Sequence, residues 1–149
     1  MAITYLEICN AIQTTLAAAT GLTFTQAPDK LTEGMHDWPL LQVYPEDGGQ
    51  DDSGNADRSS FRAVVRQTLI TIHADLYAKM RAHIGEDMAA LFPLIDAIQN
   101  VIEQQDTKPY FGLDGIKAFS WRWSRVIFTY GEPEAKYVGA RFVFTVRVF

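Results

Sequence analysis

The stretch from Val138 to Val148 alternates without a break. Val138, Ala140, Phe142, Phe144, Val146 and Val148 fall on one side, and Gly139, Arg141, Val143, Thr145 and Arg147 on the other. This is a period of two with one apolar face, the signature of a half-buried strand. Residues 116–130 are also β-rich, and Gly131-Glu132-Pro133-Glu134 separates the two runs. Two such runs joined by a short turn predict an antiparallel hairpin. With an even-numbered turn, the apolar face of the last strand lies opposite Phe119, Trp121, Trp123 and Ile127. Those cross-strand aromatic pairs are expected to build most of the core. The same register leaves Val126, Phe128, Tyr130 and Tyr137 on the other face, near the hairpin tip.

A hairpin of this length needs a covering layer, and two segments have the helical period to supply one. Thr4-Tyr5-Leu6-Glu7 reads as a capping box, followed by Ile8, Ile12, Leu16 and Ala19 on one face, with Gly21 as a left-handed stop. From Met80 to Gln104, Ile84, Met88, Leu91, Ile95, Ile98 and Ile102 form a stripe that should lie on the sheet. Pro93 interrupts it, and a kink or break is expected near Phe92. Asp106 to Gly115 reads as a connecting loop.

Leu22 to Ala27 is short, Thr-rich and read as extended; Pro28 to His36 reads as a loop. Trp38-Pro39 leads into a predicted strand, Leu40–Tyr44, since proline suits a first strand position. A second predicted strand runs from Phe61 to Tyr77 with apolar residues on both faces, as in a strand covered by a partner. Between them, residues 46–60 carry Glu46, Asp47, Asp51, Asp52 and Asp57 against Arg58 and hold almost nothing to bury. Such a segment does not offset its own ordering entropy and is expected to be a flexible acidic loop. The reading is one domain, residues 1–149, of α+β class. It has a mostly antiparallel sheet, a long C-terminal hairpin, and two helices packed on one face.

Charge and composition exclude several functions. A net charge of -5 argues against a general nucleic-acid binder, though not against a protein that lets DNA slide past. The single cysteine, Cys9, reads as a small buried residue rather than a nucleophile. No signal peptide and no membrane-spanning run is visible.

Catalytic constellations are sparse. His36, His73 and His83 are the histidines, and none has metal-ligand spacing with a cysteine. His36-Asp37 and His73-Ala74-Asp75 each offer a base beside an orienting carboxylate, but no activated nucleophile accompanies them. The acidic loop offers hard oxygen ligands, yet its spacing does not match an EF-hand. Gly48-Gly49 lies among acids, the wrong electrostatics for a phosphate. Lys117, Arg122, Arg125, Arg141 and Arg147 are interleaved with aromatics, but the register buries the aromatics and leaves the arginines outside, unlike a single-strand binding platform. No cofactor is indicated.

What stands out is the second apolar face. Val126, Phe128, Tyr130 and Tyr137, with the two-sided strand 61–77, exceed what one layer of helices buries. An exposed patch of this kind marks a protein–protein contact. The alternative is a bulge near Arg125 that shifts the phase and sends these side chains into the main core. Arg141, on the same face, is expected in an interface or an intramolecular ion pair.

The order of elements, together with Trp38-Pro39-Leu40-Leu41-Gln42-Val43-Tyr44 as an aromatic-Pro-apolar-x-Val-Tyr strand, resembles the tail terminator (tail-completion) proteins of long-tailed, lambda-like bacteriophages. The resemblance covers the whole chain by order and length. It implies a structural, non-enzymatic protein made in the host cytoplasm and resident at the head-proximal end of the virion tail. A homo-hexameric ring would cap the major tail tube protein, stop its polymerisation and present a surface to a head-completion (neck) protein. Loop 46–60 would dock on the tube or a neighbour, or project into an acidic lumen through which DNA passes unbound. Two alternatives stand beside this: a neighbouring head–tail connector with a similar ring, and a small metal-dependent enzyme using His36, His73 and the acidic loop.

Overall fold

A computed structural model describes residues 3–22, 24–26, 39–51, 67–130 and 135–148. The hairpin forms at the expected register. The first of its strands, β4, spans Ile116–Tyr130 and the second, β5, spans Ala135–Val148. Phe119 faces Val146, Trp121 faces Phe144, Trp123 faces Phe142 and Ile127 faces Val138. The ladder's one irregularity lies between Ile116 and Ala118, so the phase at Arg125 is unshifted.

Three further strands complete the sheet: β1 (Phe24–Gln26), β2 (Leu40–Asp51) and β3 (Gln67–Met80). The order is β1-β2-β3-β5-β4. Only the short β1–β2 pair is parallel; the other neighbours are antiparallel. The architecture is α+β with a mostly antiparallel sheet, as expected. The strand after Pro39 runs well past Tyr44, which corrects the start of the acidic loop. Glu46, Asp47 and Asp51 belong to β2, where Asp47 pairs with Thr71 and Asp51 with Gln67. The reason is backbone: β3 is long enough to offer ladder partners, and an outward-facing strand tolerates acids. Pro45 sits beside a bulge in which Glu46 is the extra residue, a position that does not require its missing donor. Asp52, Asp57 and the rest of that loop, like residues 61–66, lie outside the described residues.

Two helices cover one face. The first, α1, spans Tyr5–Leu16, and its capping box is formed: Thr4 Oγ1 accepts from the Glu7 amide at 3.2 Å and Glu7 Oε2 accepts from the Thr4 amide at 2.7 Å. Ile8, Cys9, Ile12 and Leu16 are buried. The helix ends before Gly21, whose φ of 98° serves the following turn instead. The second, α2, spans Ile84–Glu103 and passes through Pro93 unbroken, correcting the expected break. Ala89, Phe92 and Pro93 all face solvent, so the carbonyl freed by the proline meets water while the sheet-facing stripe is kept. Leu91, Leu94, Ile95, Ile98 and Ile102 are buried. Ile84, at the first turn, is 63% exposed and does not join the stripe.

The main core lies between these helices and the even-numbered residues of β3 and β5. Ile70, Ile72, Ala74 and Leu76 meet Phe142, Phe144, Val146 and Val148 there, with Leu41 and Val43 of β2. Burying each such side chain contributes roughly 1.5–3 kcal/mol. The β4 aromatics contribute less than their pattern suggests. Phe119, Trp121 and Ile127 are half-buried and Trp123 is 38% exposed. They face the right partners, but β4 is the edge strand, and the helices sit over β2, β3 and β5. A short 3₁₀ turn, Tyr110–Gly112, closes the far end: Phe111 is buried, 4.8 Å from Phe119 and 6.1 Å from Phe144 between ring centroids. Its left-handed backbone (φ 53°) is anchored where its amide donates to Gln105 Oε1 at 2.9 Å.

Candidate functional site

Strand alternation places Leu40, Gln42, Tyr44, Tyr77, Asp75, His73, Phe128, Val126, Tyr137 and Arg141 on the face away from the helices. At one end of this face Leu40, Tyr77, Phe128 and Tyr137 bury one another, with Val126 packed against them. The Tyr77 and Phe128 rings lie 4.2 Å apart between centroids, and Tyr77 and Tyr137 meet edge to face at 6.5 Å. Phe128 is 9% exposed and Tyr137 8%. Neither sequence expectation holds for these two residues. They are not an exposed patch, and no bulge carries them into the main core; they form a second small core on the opposite face. Val126 is half-buried against it, and Tyr130 closes the ladder opposite Ala135.

Gly139 makes this second core possible. It lies in the ladder between Tyr77 and Val126, beside a bulge of β3 between Tyr77 and Lys79. A methyl group there would overlap the Leu76 carbonyl oxygen and approach Phe128 Cε2 to 2.8 Å. The missing side chain is the space into which the Phe128 ring folds.

Next to it sits a charged group that sequence reading did not assemble. Asp75 is 2% exposed. Arg141 holds it with two hydrogen bonds, Nε to Oδ1 at 2.8 Å and Nη2 to Oδ2 at 3.2 Å. Tyr44 donates its hydroxyl to Asp75 Oδ2 in a short hydrogen bond, and Arg141 Nη2 reaches the Tyr44 oxygen at 3.3 Å. The Arg141 guanidinium also lies 5.9 Å from the Phe128 ring centroid, so it bridges the charged group and the aromatic core. Burial, and then the hydrogen bond to Asp75, push the Tyr44 phenol well above its usual range. The Asp75 carboxylate holds the Arg141 charge still more firmly. This satisfied triad is a positioning device with no activated base or nucleophile in it. Its only sequence signal was parity, Asp75 and Arg141 both falling on the odd face of their strands.

The remaining candidates scatter. His73 shares the face with Asp75 but does not bond to it. Its Nδ1 is buried without a hydrogen bond among the described residues, and Glu46 Oε2 stands 3.7 Å away. His83 caps α2, its Nδ1 accepting from the Glu86 amide at 3.4 Å. His36 lies outside the described residues. Among the described residues no cluster of three or more His, Cys, Asp or Glu is placed to hold a metal ion. Arg122 and Arg125 are exposed on β4. Burial pushes the Cys9 thiol up to about 11, the setting of an inert core cysteine. No described helix is long and apolar enough to cross a membrane.

Two sides of the described sheet carry exposed charged residues. One is β4, with Trp123, Arg122 and Arg125. The other is β2, with exposed Glu46 and Asp47, which among the described residues β1 accompanies over Leu40–Gln42. No protein-family model and no curated protein sequence matches this chain.

Proposed function

We propose that this chain is a structural subunit of a phage tail, a terminator that closes into a six-membered ring on the tail tube and presents the surface on which the head docks. The observation that carries the reading is that the two sides of the described sheet differ in charge: β4 carries exposed Arg122, Trp123 and Arg125, and β2 carries exposed Glu46 and Asp47. A subunit built this way associates head to tail, and head-to-tail contacts close into rings when the rotation permits. Three further points support it: Leu40–Tyr44 of the terminator-like pattern is a strand, as the sequence reading expects, the Tyr44–Asp75–Arg141 group is hydrogen-bonded within itself, and the net charge of -5 suits a lumen that does not retain DNA. The partners in this reading are further copies of the chain, the major tail tube protein and a neck protein, in the head-proximal part of the virion.

The test is genetic and hydrodynamic together. Removing the protein from the phage that encodes it should give overgrown tail tubes, and adding it back should restore their length. Tails of normal length that accumulate unattached to heads would move the protein to the neck connector. A strictly monomeric protein that is inert towards tube protein and gains hydrolytic activity with Mn²⁺ or Zn²⁺ would overturn both.

A further inference from the structure

We propose that the cleft between the C-terminal end of α2 and the helix-facing side of β4 receives an arginine side chain from a partner protein. The strand order creates this cleft. β4 lies beyond β5 in the described sheet, outside the cover of the helices, and pairing with Val146 and Phe144 turns Phe119 and Trp121 to the helix side. Both side chains stay half-buried. With Tyr110 and Ala118 they wall a hollow of about 280 Å³, and Glu103 and Asp106, both exposed, complete its lining.

Three observations select a cation. The first is the aromatic wall. Tyr110 meets Phe119 edge to face at 5.2 Å between centroids, Phe111 backs Phe119 at 4.8 Å, and Trp121 stacks on Phe142 at 6.3 Å. The rings are thus held in place before any ligand arrives, and the negative face of such a ring attracts a guanidinium. The second is the pair of carboxylates. Glu103 Oε1 accepts from Gln99 Nε2 at 3.0 Å. Neither Glu103 nor Asp106 has an ion-pair partner among the described residues. The third is the helix end. The last carbonyls of a helix carry partial negative charge, which a basic residue in the last turn commonly offsets. The last turn of α2 has none, and Lys108, Lys117 and Arg147 are not among the described residues that line the cleft.

Shape selects the source of the cation. The hollow is open to solvent and smaller than pockets that enclose a whole small molecule, but it takes the end of a long side chain. Arginine suits it better than lysine, because a planar fork stacks on an aromatic ring while donating to carboxylates. An arginine seated in this way is the kind of anchor around which protein interfaces are built. The inference does not rest on the ring reading.

The experiment is an NMR titration of the full chain at low ionic strength with three probes: acetyl-Gly-Arg-Gly-amide, the same peptide with citrulline in place of arginine, and guanidinium chloride. The arginine peptide should saturate in the millimolar range and move the Trp121 indole signal and the amides of Glu103 and Asp106. The citrulline peptide, similar in shape but uncharged, should bind at least tenfold more weakly. Glu103→Gln with Asp106→Asn should weaken the arginine peptide at least fivefold while melting within a few degrees of the natural protein. Shifts that grow without saturating, equal binding of the two peptides, or unchanged binding by the two-site variant overturn the site. Guanidinium ion that binds as tightly as the arginine peptide also overturns it, as an adventitious ion only. None of these outcomes bears on the ring reading, which tail length and particle mass decide.

Discussion

Replacing Gly139 by alanine should be among the most damaging single-methyl changes in this protein. The new Cβ would overlap the Leu76 carbonyl oxygen, lie 3.0 Å from Leu76 C and 2.8 Å from Phe128 Cε2. The first two neighbours are backbone, so the β3–β5 ladder itself must part, next to a bulge that already distorts it. The third is a ring whose centroid lies 4.2 Å from that of Tyr77, so moving it away disturbs that pair. Overpacking of this kind costs about 1–3 kcal/mol, and loosening an aromatic pair adds about 0.5–1.5 kcal/mol. The sum is roughly 2–4 kcal/mol, and at about 2–4 °C per kcal/mol for a chain of this size the melting temperature should fall by about 4–16 °C. Gly49 is the control: it lies in a strand with nothing within 4 Å of a built Cβ. Gly49→Ala should be neutral or stabilise by up to about 1 kcal/mol, through the unfolded chain. Urea titration of both variants, with Phe128→Ala and the Gly139→Ala/Phe128→Ala double mutant, separates the terms. The double mutant should cost less than the sum of the singles, because the ring clash is gone. If Gly139→Ala costs under about 1 kcal/mol, or the two changes add without coupling, the argument that this glycine makes room for Phe128 is refuted.

The Asp75–Arg141 pair should be asymmetric. Arg141→Met strands a carboxylate whose side chain is 3% exposed and should cost about 3–5 kcal/mol. Asp75→Asn leaves an arginine that is 34% exposed and free to turn to water, so about 1–3 kcal/mol is expected by chemical denaturation; equal losses would place both groups in the same environment. Tyr44→Phe should flatten the alkaline limb of stability. Burial and Asp75 keep the phenol protonated in the fold, so its contribution is complete below its unfolded pKa of 10.0 and is lost as pH rises through the higher folded value. Melts between pH 9 and 12 check this, and parallel curves for the two proteins would count against it. Cys9, buried at 0% exposure with its thiol raised to about 11, should react with a chromogenic disulfide at pH 8 only after denaturant is added.

Much of the fold was legible because it depends on short-range period. The capping box at Thr4, the parity of 138–148 and the pairing of Trp121 with Phe144 all follow from neighbours in sequence, and all stand in the structure. What period does not encode is which strand lies at an edge. Trp121 and Trp123 were read as central because their partners are apolar, yet among the described strands β4 has no neighbour beyond β5, and its rings stay half in water. Phe128 and Tyr137 failed for the complementary reason. Their face was right, but a patch and a small core look alike until Tyr77 and Leu40, some fifty to a hundred residues earlier, are known to pack with them. Pro93 was read locally, and only the solvent on its side of α2 shows why the helix continues. The Tyr44–Asp75–Arg141 group joins three strands over 97 residues, and no local pattern carries it.

The position of β5 in the sheet has a consequence for how the protein is made. It is the last strand in sequence yet sits between β3 and β4, paired on both sides, with Val138, Ala140, Phe142, Phe144, Val146 and Val148 all buried. A nascent chain that has reached Tyr130 therefore holds the β1–β2–β3 sheet and a lone β4, with the strand that joins them still to come. Those edges of β3 and β4 wait for the fourteen residues of β5 to leave the ribosome. Joining the two parts is in this sense a late zippering event. For that interval the unpaired strands, not the finished surface, set the protein's need for chaperones.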